Sequence, residues 1–369
     1  MEDSLGIYIH IPFCEGGKCP YCDFYSVAFD SQRAEEYAAA VGRLLAVWGQ
    51  KAGGRVVDTV YFGGGTPSLM GKWLTWMLSC VRRNFNLSAD AEITLEANPG
   101  RNLYDILPGL RKSGFNRLSI GLQSAHPQEL KLLGRRHTPM DAARAVEDAK
   151  RAGFENVSLD LMFCLPGQTI QSLRESIDFA AGLSVQHLSA YILKIEPGTP
   201  FDLQRSRMNL PDEDEQGEMY LAACDAIEAK GYRQYEISNF ALADKQSRHN
   251  LKYWNCEEYL GIGPGAHSFF GGKRFFYPRD LRSFLTKALS VDDGGGGSVE
   301  EYVMLRLRLS EGILRSELLR RYQRDFGMFD PKKIQDLEKA GLVAADENQI
   351  RLSKKGMVVS NSVISYLIF

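Results

Sequence analysis

The sequence has almost no net charge: 44 Lys and Arg stand against 46 Asp and Glu in 369 residues, a formal charge of −2. A basic field that would gather nucleic acid is missing, so no nucleic-acid partner is expected. No run of 18 apolar residues occurs, which leaves no candidate for a membrane-crossing helix. The first thirteen residues, MEDSLGIYIHIPF, lack the basic start and small-residue cleavage site of a secretory signal. A cytoplasmic location is the expectation. Cysteine is scarce: Cys14, Cys19, Cys22, Cys80, Cys164, Cys224 and Cys256. Three crowd together and four are scattered, which is no disulfide framework. The crowded three point to metal binding instead.

What is present is a regular alternation of short apolar runs and helical patterns. Strands are predicted at Gly6–Ile11, Asp58–Phe62, Glu92–Glu96, Arg117–Gly121, Val157–Phe163 and His187–Leu193. Helices are predicted between them at Gln32–Gln50, Leu69–Phe85, Leu103–Ser113, Met140–Ala152 and Ile170–Ala181. Gly114 and Gly153 follow their helices as stop signals should. Six βα repeats imply an α/β fold with a parallel sheet, open or curled into a barrel. Functional loops are then expected at the carboxyl ends of the strands. A second region begins near Leu210, with a helix to about Lys230 and a strand at Tyr232–Phe240. Asp292–Ser298 (DDGGGGS) reads as a flexible linker. Beyond it, a small, mainly helical module with a short β-ribbon is expected.

The cysteines lie in YIHIPFC (8–14) and CPYCDF (19–24). Three thiolates on one loop can cap three corners of a cubane cluster. A structural zinc site needs four ligands. The next cysteine, Cys80, falls inside a predicted helix, and His10 lies in a strand pattern. A cluster with one unligated iron fits this arrangement better than zinc does. GGGTPS (63–68) follows the second strand; it is a tight turn whose amides can approach a ligand, and no Gly-Lys-Ser/Thr makes it a Walker loop. Glu96, Gln123, Arg135 and Asp160 fall at or near strand ends. Each has a bland reading as a solvated polar or charged group, weakest for Asp160 inside an apolar strand.

These motifs resemble the coproporphyrinogen-oxidase-like branch of the radical S-adenosylmethionine (SAM) proteins. The resemblance extends along nearly the whole chain through EPGTPF (196–201), LPDEDEQ (210–216), YEISNFA (235–241), RHNLKYW (248–254) and GIGPGAHS (261–268). It implies a partial (β/α)6 radical SAM barrel at 1–205 and an α+β extension at 206–290. A C-terminal helical, winged-helix-like domain would follow at 299–369. Cys14, Cys19 and Cys22 would hold a [4Fe–4S] cluster with SAM on its open iron. Gly64, Gly65, Thr66, Glu96, Gln123, Arg135 and Asp160 would line the SAM pocket with Tyr8 and Tyr21. One departure stands out: four residues separate Cys14 from Cys19 where the family has three, and Gly16 and Gly17 make that bulge cheap for the backbone.

Within the family the enzyme and carrier readings stay open. One is an oxygen-independent coproporphyrinogen III oxidase, or a related methyltransferase on the same scaffold. The other is a heme chaperone of the HemW type, which binds heme and delivers it to heme proteins such as membrane-bound respiratory enzymes. The carrier is favoured by Phe24, which stands where oxidases carry a fourth cysteine, and by the short stretch before Cys14. It is also favoured by HNLKYW, which fits the HNxxYW motif of the chaperone branch. His249 would be an axial ligand, with Tyr253 and Trp254 as flat faces for a porphyrin. Alternatively His249 is a packed core residue. His267 is a second candidate ligand, or part of the SAM pocket. A homodimer is left open.

Overall fold

The computed structural model describes residues 4–100 and 103–368. Six strands lie side by side, all parallel and in sequence order. They are β1 (Leu5–Ile11), β2 (Val56–Gly64), β3 (Asn86–Ala97), β4 (Arg117–Gln123), β5 (Val157–Phe163) and β6 (His187–Ile192). Helices Ser31–Lys51, Lys72–Asn84, Leu103–Ser113, Pro139–Arg151 and Ile170–Gly182 make the crossovers. This is the α/β architecture expected from the six repeats.

Period-two alternation decides what each strand face meets. Leu5, Ile7, Ile9 and Ile11 of β1 are fully buried in the core shared with the helices. Gly6, Tyr8 and His10 take the other face. The same division runs through β4, with Leu118, Ile120 and Leu122 in the core and Arg117, Ser119 and Gln123 opposite. The inner face is therefore polar, and its side chains bond to one another. The Tyr61 hydroxyl donates to Glu96 at 2.8 Å, Ser119 to Asp160 at 3.1 Å, and Ser158 pairs with His187 at 2.7 Å. An interior of this kind is a lined lumen, unlike the branched apolar layers that fill many α/β barrels.

The sheet continues past both sides of the six strands. A hairpin of β7 (Arg233–Glu236) and β8 (Asn239–Ala241) adds antiparallel to β6. On the other side β9 (Tyr259–Ile262) runs parallel to β1. Beyond it come β10 (His267–Phe270), β11 (Lys273–Phe276) and β12 (Val291–Gly295). Helix Arg248–Trp254 joins the two additions.

Three local expectations are corrected. The strand expected at Tyr232–Phe240 is a hairpin, because the Glu236 carboxylate accepts Ser238 N and Asn239 Nδ2 and so folds the chain back at Ile237–Ser238. The linker expected at Asp292–Ser298 instead contributes the edge strand β12, paired with β11. Its glycines serve close approach: a Cβ at Gly296 or Gly297 would meet the Phe269 ring at 2.9 or 2.8 Å. The helix expected from Leu69 starts at Lys72, since Gly71 at φ +50° separates it from a 3-10 turn at Pro67–Met70.

The C-terminal part is mainly helical. Helices Val299–Arg306, Arg315–Tyr322, Pro331–Lys339, Lys354–Val358 and Ser360–Ile368 surround three short strands, Ile313–Leu314, Gln349–Leu352 and Val343–Ala345. It meets edge strand β7 through backbone bonds, Ile237 N to Arg308 O and Ser310 N to Tyr235 O, each 3.0 Å. An edge so covered is protected from pairing with other chains.

Candidate functional site

The cysteine loop leaves the carboxyl end of β1. Phe13–Cys14 pairs with Val27–Ala28, which ties both ends of the loop together. Inside it, Cys22 N donates to Cys19 O at 3.1 Å. All three thiols are free and half-buried. Burial pushes the Cys22 thiol pKa up, and the neighbouring Cys19 and Cys14 add to it. Arg135 Nη1 lies 3.9 Å from Cys19 Sγ, and Thr66 Oγ1 lies 4.0 Å from Cys14 Sγ. The extra residue is absorbed at Gly16 and Gly17, with φ +67° and +109°. Arg136 Nη2 holds the Gly16 carbonyl at 2.6 Å. Among the described residues no three His, Cys, Asp or Glu side chains converge to hold a single metal ion. A cubane asks for one thiolate per iron rather than convergence on a point. Three thiols on one pinned loop beside a guanidinium fit that demand.

The glycine turn after β2 is stitched to this loop. Gly65 N donates to Ile11 O at 2.8 Å and Thr66 N to Phe13 O at 2.7 Å. Gly64 sits at φ +113°, and its amide reaches Glu96 Oε2 at 3.0 Å. Burial raises Glu96 to about 7. Burial also raises Asp160, which Ser119 and Ser189 counteract by hydrogen bonding. Gln123 ends β4 at φ +71°, at a register shift against β5. Tyr8 stands inside the lumen, 6.1 Å from the Tyr61 ring, its hydroxyl 2.9 Å from His10 Nδ1. Tyr21 packs on Phe201 at 6.3 Å, between the cysteines and helix Pro200–Gln204.

Sequence reasoning passed over Asn98. Its Nδ2 donates to Thr66 Oγ1 at 2.9 Å, and its Oδ1 accepts Arg135 Nη2 at 2.6 Å. Arg135 Nη2 also reaches Gly121 O at 2.9 Å. Asn98 thus connects the glycine turn, the end of β4 and the loop that carries Arg135. The signal was period two: Asn98 lies two residues beyond Glu96 in LEANPG.

The RHNLKYW helix lies at the other end of the barrel. Ser247 caps its N-terminus. Its first amides, Arg248 N and His249 N, donate to Glu92 at 3.1 Å each. Lys252 is 3% exposed and pairs with Asp58 at 2.9 Å and Glu257 at 3.2 Å. Asp58 and Thr59 stand on the leading half of β2 and Glu92 is the β3 partner of Thr59, so the helix closes the lumen from below. His249 is 1% exposed. Its Nδ1 meets Thr59 Oγ1 at 2.8 Å and its Nε2 meets Tyr253 Oη at 2.8 Å. Burial lowers its pKa to about 3. Trp254 lies elsewhere, half-buried with Arg308 over its ring at 5.9 Å. The structure brings His249 and Tyr253 together but not Trp254: both imidazole nitrogens are hydrogen-bonded, and the two aromatics serve different seams. The packing role is the one this geometry supports.

A parallel α/β barrel with three cysteines on the loop after its first strand, stitched to a glycine turn, defines a radical SAM protein. Residues 8–180 match the Radical SAM superfamily and residues 298–359 match the HemN C-terminal domain. The chain is 36% identical over 372 residues to the heme chaperone HemW of Bacillus subtilis, covering 96% of this chain and 97% of that protein. It is 42% identical to the heme chaperone HemW of Escherichia coli, covering 85% of each. It belongs to the HemW heme-chaperone family. A mitochondrial radical S-adenosyl methionine domain-containing protein 1 from Bos taurus is 33% identical, covering all of this chain and 88% of its own. Among solved structures, coproporphyrinogen III oxidase (HemN) of Escherichia coli shares the fold with a TM-score of 0.84, covering 99% of this chain and 90% of that one, at 23% identity. Membership implies a [4Fe–4S] cluster and SAM. No helix among the described residues is long and apolar enough to cross a membrane.

Proposed function

We propose that this protein binds heme and passes it to acceptor heme proteins, with a SAM-binding [4Fe–4S] cluster as its resident cofactor. The observation that carries this reading is the agreement along nearly the full length with proteins named heme chaperones. The loop supports it locally. Phe24 follows the third cysteine at 62% exposure, where a fourth thiol would mark the oxidases.

In this reading Cys14, Cys19 and Cys22 hold the cluster, and when bound it supplies an electron and an open iron for SAM. Gly64, Gly65 and Thr66 hold the methionine end of SAM. Glu96 and Asp160 face it from the lumen, their carboxyl pKa values raised by burial. Arg135, fixed by Asn98, balances the negative charge that three thiolates bring to the loop. Tyr21 and Gln123 close the sides. Respiratory acceptors and a homodimer belong to the same proposal.

The test is an anaerobic heme titration of the cluster-reconstituted protein, read in the Soret band, beside a turnover assay. Stoichiometric heme binding without conversion of coproporphyrinogen III is expected. Efficient formation of protoporphyrinogen IX from coproporphyrinogen III, with SAM and a reductant, would sink the carrier reading.

A further inference from the structure

If the HNxxYW histidine is tied into the floor, heme iron must find its ligand elsewhere. The six histidines of the chain separate sharply. His10, His126, His137, His187 and His249 each have a ring nitrogen engaged by Tyr25, Ser172, Leu122, Ser158 or Thr59. His267 is exposed, and among the described residues neither of its ring nitrogens bonds to a neighbour. Its ring is held by stacking on Phe276, with centroids 5.2 Å apart and planes 26° apart. The ring is thus oriented while its nitrogens stay open. What burial it has lowers its pKa, which keeps the imidazole neutral, as a metal ligand must be.

The surroundings suit a tetrapyrrole. His267 follows the turn Gly263–Ala266 at the carboxyl end of β9, beside the end of β1. A Cβ at Gly265 would lie 3.3 Å from Tyr25 Cβ and 3.5 Å from Arg279 Cγ, so this turn is packed on the cysteine loop. Arg279 also grips the loop at Asp23, at 3.2 and 2.9 Å. Phe24 is the residue between Asp23 and Tyr25, and it exposes a large apolar ring to no described purpose. Arg279, Arg274 and Asp293 are the charged groups that act on His267. Each arginine is itself held by a carboxylate, Arg279 by Asp23 and Arg274 by Glu301, so the rim carries balanced ion pairs beside the open imidazole.

We infer that His267 is the axial ligand of the bound heme, at the rim beside the cysteine loop, with Phe24 and Phe276 as apolar faces. This rests on the heme-chaperone reading. It also accounts for the substitution that separates this chain from the oxidases: the position of the fourth cysteine holds an aromatic ring where the heme would lie. The proximity of site and cluster loop offers a direct route by which the loaded cluster can affect heme release.

The experiment titrates hemin anaerobically into the reconstituted full chain and into its His267→Ala, His267→Met, Phe24→Ala and His249→Ala variants. Soret position and electron paramagnetic resonance are read throughout. His267→Ala is expected to bind at least about tenfold more weakly with a shifted band, and free imidazole is expected to restore the wild-type spectrum. His267→Met is expected to change the spin state, and Phe24→Ala to weaken binding several-fold without moving the band. Wild-type affinity and spectrum in both His267 variants overturn the assignment while leaving the chaperone reading intact. Failure of the wild-type chain itself to bind hemin overturns both.

Discussion

His249 and Tyr253 are one helical turn apart, and Tyr253 Oη lies 2.8 Å from His249 Nε2. With Thr59 on the other nitrogen, the imidazole bridges the closing helix to β2. His249→Ala removes both bonds and leaves a void beneath Tyr8 and Tyr61. The expected loss is about 3 kcal/mol of folding stability, from the cavity together with two stranded hydroxyls. Urea unfolding measures it. The heme Soret band should keep its position. A variant with normal unfolding and a lost or shifted Soret band would show that the motif histidine binds iron after all.

Asn98 holds Thr66 and Arg135 in one arrangement. Asn98→Ala should weaken SAM binding by about tenfold to a hundredfold, the range for losing a hydrogen bond to a charged group. Iron content should stay at the wild-type level, because no cysteine is touched. Equilibrium dialysis with labelled SAM and an iron assay separate the two effects. Unchanged SAM affinity refutes the bridging role.

Much of this was legible in the sequence, for a physical reason. β5 and helix Leu103–Ser113 fall on their predicted bounds, because Val157–Leu161 alternates apolar and polar residues and Leu103, Leu107 and Leu110 keep a helical spacing. The six parallel strands follow from the same alternation. The misjudged parts are those where tertiary contact sets the outcome. Asp292–Ser298 read as linker because composition does not reveal that Phe269 packs against Gly296 and Gly297 or that β12 pairs with β11. The place of HNLKYW was not legible either, because a string of residue types does not show which end of a barrel it will close. Asn98 was hidden by its neighbour Glu96, whose charge drew attention to a position that an uncharged amide completes.

Glu236 gives a pH signature. It is 1% exposed, and burial raises its carboxyl to about 7 from an ordinary value of 4.5, against Asn239, Ser238 and Arg308, which pull it down. The folded chain therefore binds this proton more tightly than the unfolded chain. That contribution is fully present below pH 4.5 and is lost as pH rises through about 7. The amount is of order 3 kcal/mol by one-group linkage. Glu236→Gln, which stays neutral, should remove this decline. Urea unfolding of both proteins at intervals between pH 5 and 8, a range chosen to straddle about 7, checks it. Parallel stability curves for the two proteins would mean that Glu236 is not protonated in the folded state.

Gly65 is the point where the glycine turn touches the cysteine loop. A Cβ there would lie 2.5 Å from Phe13 O and 3.1 Å from Cys14 Sγ. The carbonyl belongs to the Phe13–Cys14 bridge, which is tied to Val27–Ala28 and cannot swing aside alone. Gly65→Ala should therefore push Cys14 from its place while the rest of the barrel folds. Gly100→Ala is the control, since among the described residues its Cβ would meet nothing nearer than Asn98 O at 4.0 Å. Iron bound after anaerobic reconstitution should fall severalfold in the first variant and stay unchanged in the second, with circular dichroism confirming that both fold. Equal iron in the two would show that the loop can shift to accept the methyl group. The turn would then hold the cysteines less firmly than its backbone bonds from Gly65 to Ile11 and from Thr66 to Phe13 imply.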